Sequence, residues 1–331
     1  MGFEHVGSAR GSAVVCLGET MALLVPAEPG PAHEVRTWTR AVGGAESNVA
    51  CHLAGLGVPS RWVGAVGDDP FGSAVLDAVS ARGVDVSAVR RDPDRPTGLY
   101  VKAPDAVRYY RAGSAASALG PDLLDDLDLT GVGLVHVSGI TAALSDSCLE
   151  LLRALLRRPR EHLVSFDLNW RPALWRDRDP SVLRDLADAA DVVLAGADEA
   201  ESVWGTGDPE RLRDLLPGPA SIVVKQAEHS AVLVEDGELT RQPALDVDVV
   251  EPVGAGDAFA AGYLAAALAD LPPRTRLRAG HLQAAAALLT TEDVGDPLPA
   301  AVTRHLLHAD AATWSAARLT ASSVPTSEET A

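Results

Sequence analysis

Residues Val253–Ala260, VGAGDAFA, place two glycines and an acid where a β-like run, Val247–Val250, gives way to the apolar helical run AFAAGYLAAALAD. Gly254 and Gly256 permit tight backbone geometry without a Cβ. The first N–H groups of the predicted helix have no intrahelical acceptor and lie at the positive end of the helix dipole. Such a turn makes an anion hole suited to a phosphoryl group in transfer. Asp257 stands at its mouth, where a carboxylate can take the proton of an attacking hydroxyl. The same pattern also describes a glycine-rich helix cap whose acid complements the dipole. A dinucleotide fingerprint fits less well, because the third glycine position falls on Phe259 and the motif lies late in the chain. No GK[ST] follows, so there is no Walker A loop.

The elements that must position this turn alternate along the chain. Strands are predicted at Val14–Leu17, Arg61–Val66, Leu134–Ser138, Leu163–Asp167, Val192–Ala195, Ser221–Lys225 and Ala231–Glu235. Several are apolar throughout, as in a parallel sheet buried on both faces. Helices are predicted at Ser47–Leu56, Phe71–Arg82, Asp146–Arg157, Ser181–Ala190, Glu199–Trp204, Asp257–Ala269, Thr275–Leu289 and Ala300–His308, with Ser145, Ser181 and Asp198 as N-caps. This alternation implies a doubly wound α/β sheet with ligands beyond the carboxyl ends of its strands. Two stretches break it. Residues 19–42 hold the β-like runs Met21–Val25 and Val35–Arg40, and residues 97–111 hold Gly98–Ala103 and Val107–Arg111 around a turn at Pro104–Asp105. Four short strands cannot bury a core alone, so they are expected to form a small sheet lying over the site as a lid. Residues 1–12 and 320–331 read as flexible termini around a domain spanning 13–310.

The 331 residues are 47% hydrophobic but only 4% aromatic, so the core must be built from Ala, Val and Leu. A net charge of −18 repels a phosphate backbone and argues against nucleic acid as a partner. Cys16, Cys51 and Cys148 are too sparse for a disulfide framework or a structural zinc site. The start of the sequence lacks the apolar stretch of a signal peptide, and no run is long enough to span a membrane, so a cytoplasmic location is expected. His136 reads as a core histidine and Arg153–Arg160 as a solvated helix end.

EPVGAGDAFAAGYLAA resembles the C-terminal signature of the ribokinase-like (PfkB) carbohydrate kinases, and AVGGAESNVACHLAGLG at 41–57 resembles their N-terminal signature. The resemblance, strengthened by VGAVGDDPFG at 63–72, covers roughly residues 13–310. It implies a ribokinase-like α/β/α sandwich with a mostly parallel central sheet and a small β-sheet lid. It also implies ATP and Mg²⁺, and transfer of a phosphoryl group to a sugar hydroxyl. Asp257 is then the catalytic base, Gly254, Ala255, Gly256 and Asp257 the anion hole, and Gly43, Gly44 and Asn48 sugar contacts.

TGLYVKAPDAVRYYRAGSAASAL at 97–119 and DLNWRPALW at 167–175 resemble the 2-keto-3-deoxygluconate kinases in particular. Such a substrate carries a carboxylate, for which Arg donors and phenolic hydroxyls are the suited partners. In an extended strand Tyr109 and Arg111 share a face and Tyr110 points away. Tyr100, Tyr109, Arg111 and Arg171 are therefore the expected sugar-acid contacts; by the resemblance, Asp296 in DVGDPLP matches a late acidic site position, the alternative being a cap for the helix beginning near Pro299. A neutral-sugar kinase acting on fructose or ribose is the alternative within the fold, and a non-catalytic sugar-binding regulator the alternative outside catalysis. The lid is a candidate surface for a homo-oligomer.

Three departures from the family pattern fall near the nucleotide. The K-x-G-x-x-G turn is Lys225-Gln-Ala-Glu-His-Ser230, with Ala227 and Ser230 in place of glycines, so Lys225, Ala227, Ser230, Gly254 and Gly256 are the expected nucleotide contacts. The Asn-x-x-Glu element retains only Glu199, expected to reach Mg²⁺ through water. Glu251 and Pro252 replace the usual Asp-Thr before the glycine turn, which weakens a monovalent-cation site. None of these changes touches Asp257.

Overall fold

A computed structural model describes residues 12–103 and 107–321. The expected flexible ends, apart from Ser12, Thr320 and Ala321, and the turn at Pro104–Asp105 lie outside the described residues. The chain runs β1 (Ala13–Leu17), β2 (Met21–Pro26), β3 (Trp38–Gly43), α1 (Ala45–Gly55), β4 (Ser60–Val63), β5 (Ala65–Gly67), α2 (Pro70–Ala81), β6 (Arg90–Asp92), β7 (Leu99–Lys102) and β8 (Val107–Tyr110). It continues through β9 (Val132–Ser138), α3 (Gly139–Leu144), α4 (Asp146–Arg157), β10 (Leu163–Asp167), α5 (Val182–Asp188), β11 (Val192–Gly196), α6 (Ala197–Trp204) and α7 (Pro209–Leu215). Then come β12 (Ser221–Gln226), β13 (Ser230–Glu235), β14 (Glu238–Pro243), β15 (Asp246–Val247), α8 (Ala255–Leu268), α9 (Pro273–Leu288), α10 (Ala300–Leu307), α11 (Ala311–Ala316) and β16 (Arg318–Leu319).

The apolar runs form one eight-stranded sheet in the order β14-β13-β12-β11-β10-β9-β1-β4. Neighbours from β4 to β12 are parallel, and β13 and β14 close the far edge antiparallel. Strand alternation splits the core in two. Val14 and Cys16 of β1 pack with Val49 and Leu53 of α1 and Phe259 and Leu264 of α8. Val15 and Leu17 face the opposite layer, with Leu151 and Leu155 of α4 and Leu183 of α5. The result is a sheet between two helical layers. α8 is buried almost all round, which explains why its sequence lacks a polar face; its alanines let it approach α9 closely.

Several boundaries moved. The run Arg61–Val66 breaks at Gly64 into β4, in the large sheet, and β5, which pairs with β6. Only Asp246–Val247 of the β-like run before α8 is a strand, paired with β16; Val249 and Val250 are exposed. Ser145 caps α4 by accepting from the Cys148 N–H at 3.1 Å. Ser181 makes no capping bond. Asp198 lies inside α6, whose N-cap is Gly196. Polar-flanked α3, α7 and β14 gave too little periodicity to be predicted.

The inserted strands form a separate four-stranded sheet, β3-β2-β7-β8. Met21, Leu23 and Tyr100 form its buried cluster, while β8 is exposed along its length. β3 begins later than expected and runs into Gly43, so Gly43–Gly44 joins the small sheet directly to α1. No helix among the described residues is long and apolar enough to cross a membrane.

Candidate functional site

Five chain segments converge beyond the carboxyl ends of the parallel strands, where side chains of an α/β sheet meet ligands. Glu19 follows β1, Ile140 follows β9, Asp167 and Asn169 close β10, Glu199 follows β11 and Lys225 ends β12. Together with the small sheet and the start of α8 they line a cavity of about 630 Å³, a size typical of small-molecule sites.

Asp257 occupies the first turn of α8 on the wall of this cavity. Gly254 is its N-cap, with φ +84°, a left-handed conformation that favours glycine. A Cβ there would also lie 2.4 Å from the carbonyl oxygen of Asp293. Ala258 N–H bonds to Gly254 O at 2.9 Å, so the N–H groups of Ala255, Gly256 and Asp257 are the ones without an intrahelical acceptor. Asn48, from α1, donates Nδ2–H to Asp257 Oδ2 at 2.9 Å. Asn169 Nδ2 approaches Oδ1 at 3.4 Å, and its own buried Oδ1 has no partner among the described residues.

Burial pushes the Asp257 carboxyl up to about 7, with nearby Asp167 adding to the rise and Asn48, Lys225 and Arg171 opposing it. A base must be ionised to accept a proton, so kcat/KM is expected to fall as pH drops through about 7. A pH–rate profile that stays flat through that value would exclude Asp257 from proton transfer.

Lys225 sends Nζ to Asp167, at 2.9 Å from Oδ2 and 3.2 Å from Oδ1. Burial opposes its charge, but Asp167, Glu199 and Asp257 outweigh burial and raise its pKa. Glu199 accepts the Trp170 N–H on Oε1 at 3.1 Å and the Gly196 N–H on Oε2 at 2.9 Å. Burial raises its pKa. Arg171, half exposed on the cavity rim, lies 3.5 Å from Glu199 Oε1.

The small sheet supplies the opposite wall. Tyr100 and Tyr109 are cross-strand partners whose rings stack at 5.6 Å. Tyr100 donates to Asp293 Oδ2 at 3.3 Å, and burial raises the pKa of both groups. Gly43 sits against this pair: a Cβ there would fall 2.1 Å from the Tyr100 hydroxyl. Lys102 pairs with Glu251 in the segment before α8.

Among the expected site residues, Gly43, Gly44, Asn48, Tyr100, Tyr109, Arg111, Arg171, Glu199, Lys225, Gly254, Gly256 and Asp257 all line the cavity. Tyr110 points to solvent, 64% exposed. Three expectations are corrected. Asp296 is not in the cavity: it lies on the surface, paired with Arg82 at 3.2 Å, and Asp293 takes the inward position. Asp293 stands three residues earlier in EDVGDP, and the direction of the turn sends it, not Asp296, inward. Ala227 and Ser230 also lie outside the cavity lining. Ala227 is in the β12–β13 turn at φ +46°, and Ser230 is buried, donating to Gln226 Oε1 at 2.6 Å. Glu19, Lys102, Asp167, Asn169 and Asp293 were not singled out. For Asp167 and Asn169 a signal existed, since both close a predicted strand end.

Each cavity cation already has an acid: Lys225 has Asp167, Arg111 has Glu19, Arg171 has Glu199 and Lys102 has Glu251. Asp257 and Asp293 are further acids with no ion-paired cation among the described residues. A polyphosphate entering this space therefore needs a cation of its own. No cluster of three or more His, Cys, Asp or Glu among the described residues could hold a metal directly. Glu199, with both oxygens already accepting backbone N–H groups, fits a contact through water. These donors suit an Mg²⁺ that arrives on phosphates and keeps most of its waters.

The family model for pfkB family carbohydrate kinase matches residues 12–301. The 2-dehydro-3-deoxygluconokinase of Thermoproteus tenax is 35% identical over 297 residues, covering 86% of this chain and 89% of that protein. The enzyme of the same name from Bacillus subtilis (strain 168) is 36% identical over 280 residues, covering 81% and 86%. A crystal structure of a PfkB protein from Polaromonas sp. JS666 is 34% identical and superposes with a TM-score of 0.75, covering 84% of this chain and 95% of that one.

Proposed function

Because the chain belongs to the pfkB family of carbohydrate kinases, we propose that its cavity transfers the γ-phosphoryl group of ATP to the terminal hydroxyl of 2-keto-3-deoxygluconate (2-dehydro-3-deoxygluconate), giving the 6-phosphate. The observation that carries this is the joining, in one cavity, of Asp257 and the open N-terminus of α8 with the Tyr100–Tyr109–Arg111 wall. The first half suits phosphoryl transfer and the second suits a sugar acid. The relatives at 35% and 36% identity carry that substrate in their names.

The sugar lies between the small sheet and α1, with its terminal hydroxyl at Asp257. Asp257 accepts the hydroxyl proton as the oxygen attacks the γ-phosphorus and the bond to ADP breaks. The N–H groups of Ala255, Gly256 and Asp257 hold the phosphoryl oxygens, where charge is spread in the transition state. Asn48 and Asn169 aim the carboxylate. Lys225 tempers the charge of Asp167 behind the base. Glu199 would reach a nucleotide-bound Mg²⁺ through water, and such an ion would supply charge neutralisation. Nucleotide contacts fall to Gly254 and Gly256 at the start of α8. The small sheet serves as the lid of the 13–310 domain, and its exposed β8 offers a face for a second copy. A cytoplasmic enzyme is consistent with the absence of a membrane-crossing helix among the described residues.

An ATP-consumption screen over keto-deoxy acids and neutral sugars tests the substrate class directly. In the same assay Arg111→Ala should lower kcat/KM for the sugar acid about tenfold or more, since charge-assisted bonds to a carboxylate contribute roughly 1.5–3 kcal/mol. Fructose, which has no carboxylate, should lose much less. Equal losses on both would mean that the arginine only holds the lid, and preference for fructose in wild type would favour the neutral-sugar alternative.

A further inference from the structure

We propose that Glu19 is a positioning residue that sets how Arg111 presents itself to the substrate carboxylate, and so helps determine selectivity for an acid; this rests on the sugar-acid function above. The carboxyl group of Glu19 is fully shielded from solvent, with 0% side-chain exposure. Its Oε2 accepts both Nε–H, at 2.6 Å, and Nη2–H of Arg111. Its Oε1 accepts from Ser114 Oγ at 3.0 Å. A Cβ on Gly98 would lie 2.9 Å from that same oxygen, so the carboxylate has little room to turn.

A guanidinium has five N–H donors in a rigid plane. Glu19 takes the side edge, formed by Nε and one Nη2 proton. The Tyr109 ring covers one face, with the guanidinium carbon 5.4 Å from its centroid. What remains is the end edge, both Nη1 protons and the second Nη2 proton. Nη1 donates no hydrogen bond among the described residues, and Arg111 lines the cavity. An end edge of this kind matches a carboxylate with two parallel bonds.

Glu19 also lies at a junction. It follows β1 of the large sheet and precedes β2 of the small one, whereas Arg111 comes from the end of β8. The ion pair therefore fixes a side chain of the small sheet relative to the strand ends that carry Asp167 and the rest of the floor. An arginine held this way surrenders less freedom on binding. Without Glu19 it would be a poorly paired cation that turns toward water.

The test measures kcat and KM in Glu19→Gln, Arg111→Ala and the double variant. The substrates are 2-keto-3-deoxygluconate and its methyl ester, which keeps the chain and removes the charge. Glu19→Gln should raise KM for the acid about tenfold and leave kcat nearly unchanged. The ester should be affected little. The double variant should be no worse than Arg111→Ala, because Glu19 acts through that residue. Equal losses on acid and ester, losses that add in the double variant, or a lowered KM for the acid would each overturn the proposal. If Glu19→Gln does not fold, Glu19→Asp keeps the charge with one methylene less, and it should raise KM for the acid alone by a smaller factor. If Arg111→Ala itself treats acid and ester alike, the carboxylate role of Arg111 fails. If Arg111→Ala discriminates and the Glu19 variants do not, only the role of Glu19 fails.

Discussion

Asp257→Asn is expected to lower kcat about 10²–10⁴-fold, the usual cost of losing a general base, while ATP and sugar still bind. The amide keeps the shape of the carboxyl and cannot take a proton. Its surroundings can adapt. Asn48 and Asn169 both donate toward Asp257, and the new amide would bring one donor against them. Asn169 has a buried Oδ1 with no partner, so turning its amide restores a donor–acceptor pair. The fold should not suffer. The folded pKa of Asp257 is raised to about 7, above its value in an unfolded chain, so the wild-type carboxylate lowers stability progressively as pH rises toward that value. Removing the charge should therefore make the variant more stable relative to wild type as pH increases. Steady-state kcat, ATP binding and thermal unfolding at several pH values check the three parts. A near-normal kcat would remove Asp257 from the role of base.

Lys225→Met should produce the largest loss of stability. Its ammonium lies among Asp167, Glu199 and Asp257 and directly bridges Asp167. Removing one member of a buried pair leaves an uncompensated charge and costs about 3–5 kcal/mol. The sign of the pH dependence follows from the acids left behind. Lys225 lowers the pKa of both Asp257 and Glu199, so without it both rise further. The penalty should be greatest at high pH, where these groups are ionised, and shrink as pH falls and they are neutralised. The same change should move the acid limb of the activity profile upward from about 7. Urea unfolding at high and low pH, with a parallel pH–rate profile, measures both effects. Unchanged stability at high pH would mean that water, not Lys225, balances these acids.

The sequence by itself determined the fold class, because its signals are local. A strand buried on both faces reads as an unbroken apolar run, as Leu163–Asp167 and Val192–Ala195 do, and α4 shows a clear apolar stripe. VGAGD likewise carries its chemistry in consecutive residues. Two glycines that permit a tight turn and an acid at the start of the helix follow from spacing alone, while the left-handed φ of Gly254 and the helix start at Ala255 came from the structure. The small sheet was legible because short β-like runs interrupted a helical alternation.

Tertiary structure alone decided which charges meet. Glu19 and Arg111 are 92 residues apart in sequence, and Lys225 and Asp167 are 58 apart. An ion pair requires both partners to arrive at one point, and neither periodicity nor propensity encodes that meeting. Arg111 was readable as a carboxylate donor, but not as a donor with one edge already taken. Asp293 and Asp296 stand three residues apart, and the path of the turn sent one inward to Tyr100 and the other outward to Arg82. The elevated pKa of Asp257 has the same origin: its main cause is burial, which exists only once α1, α8 and the strand ends have packed around it.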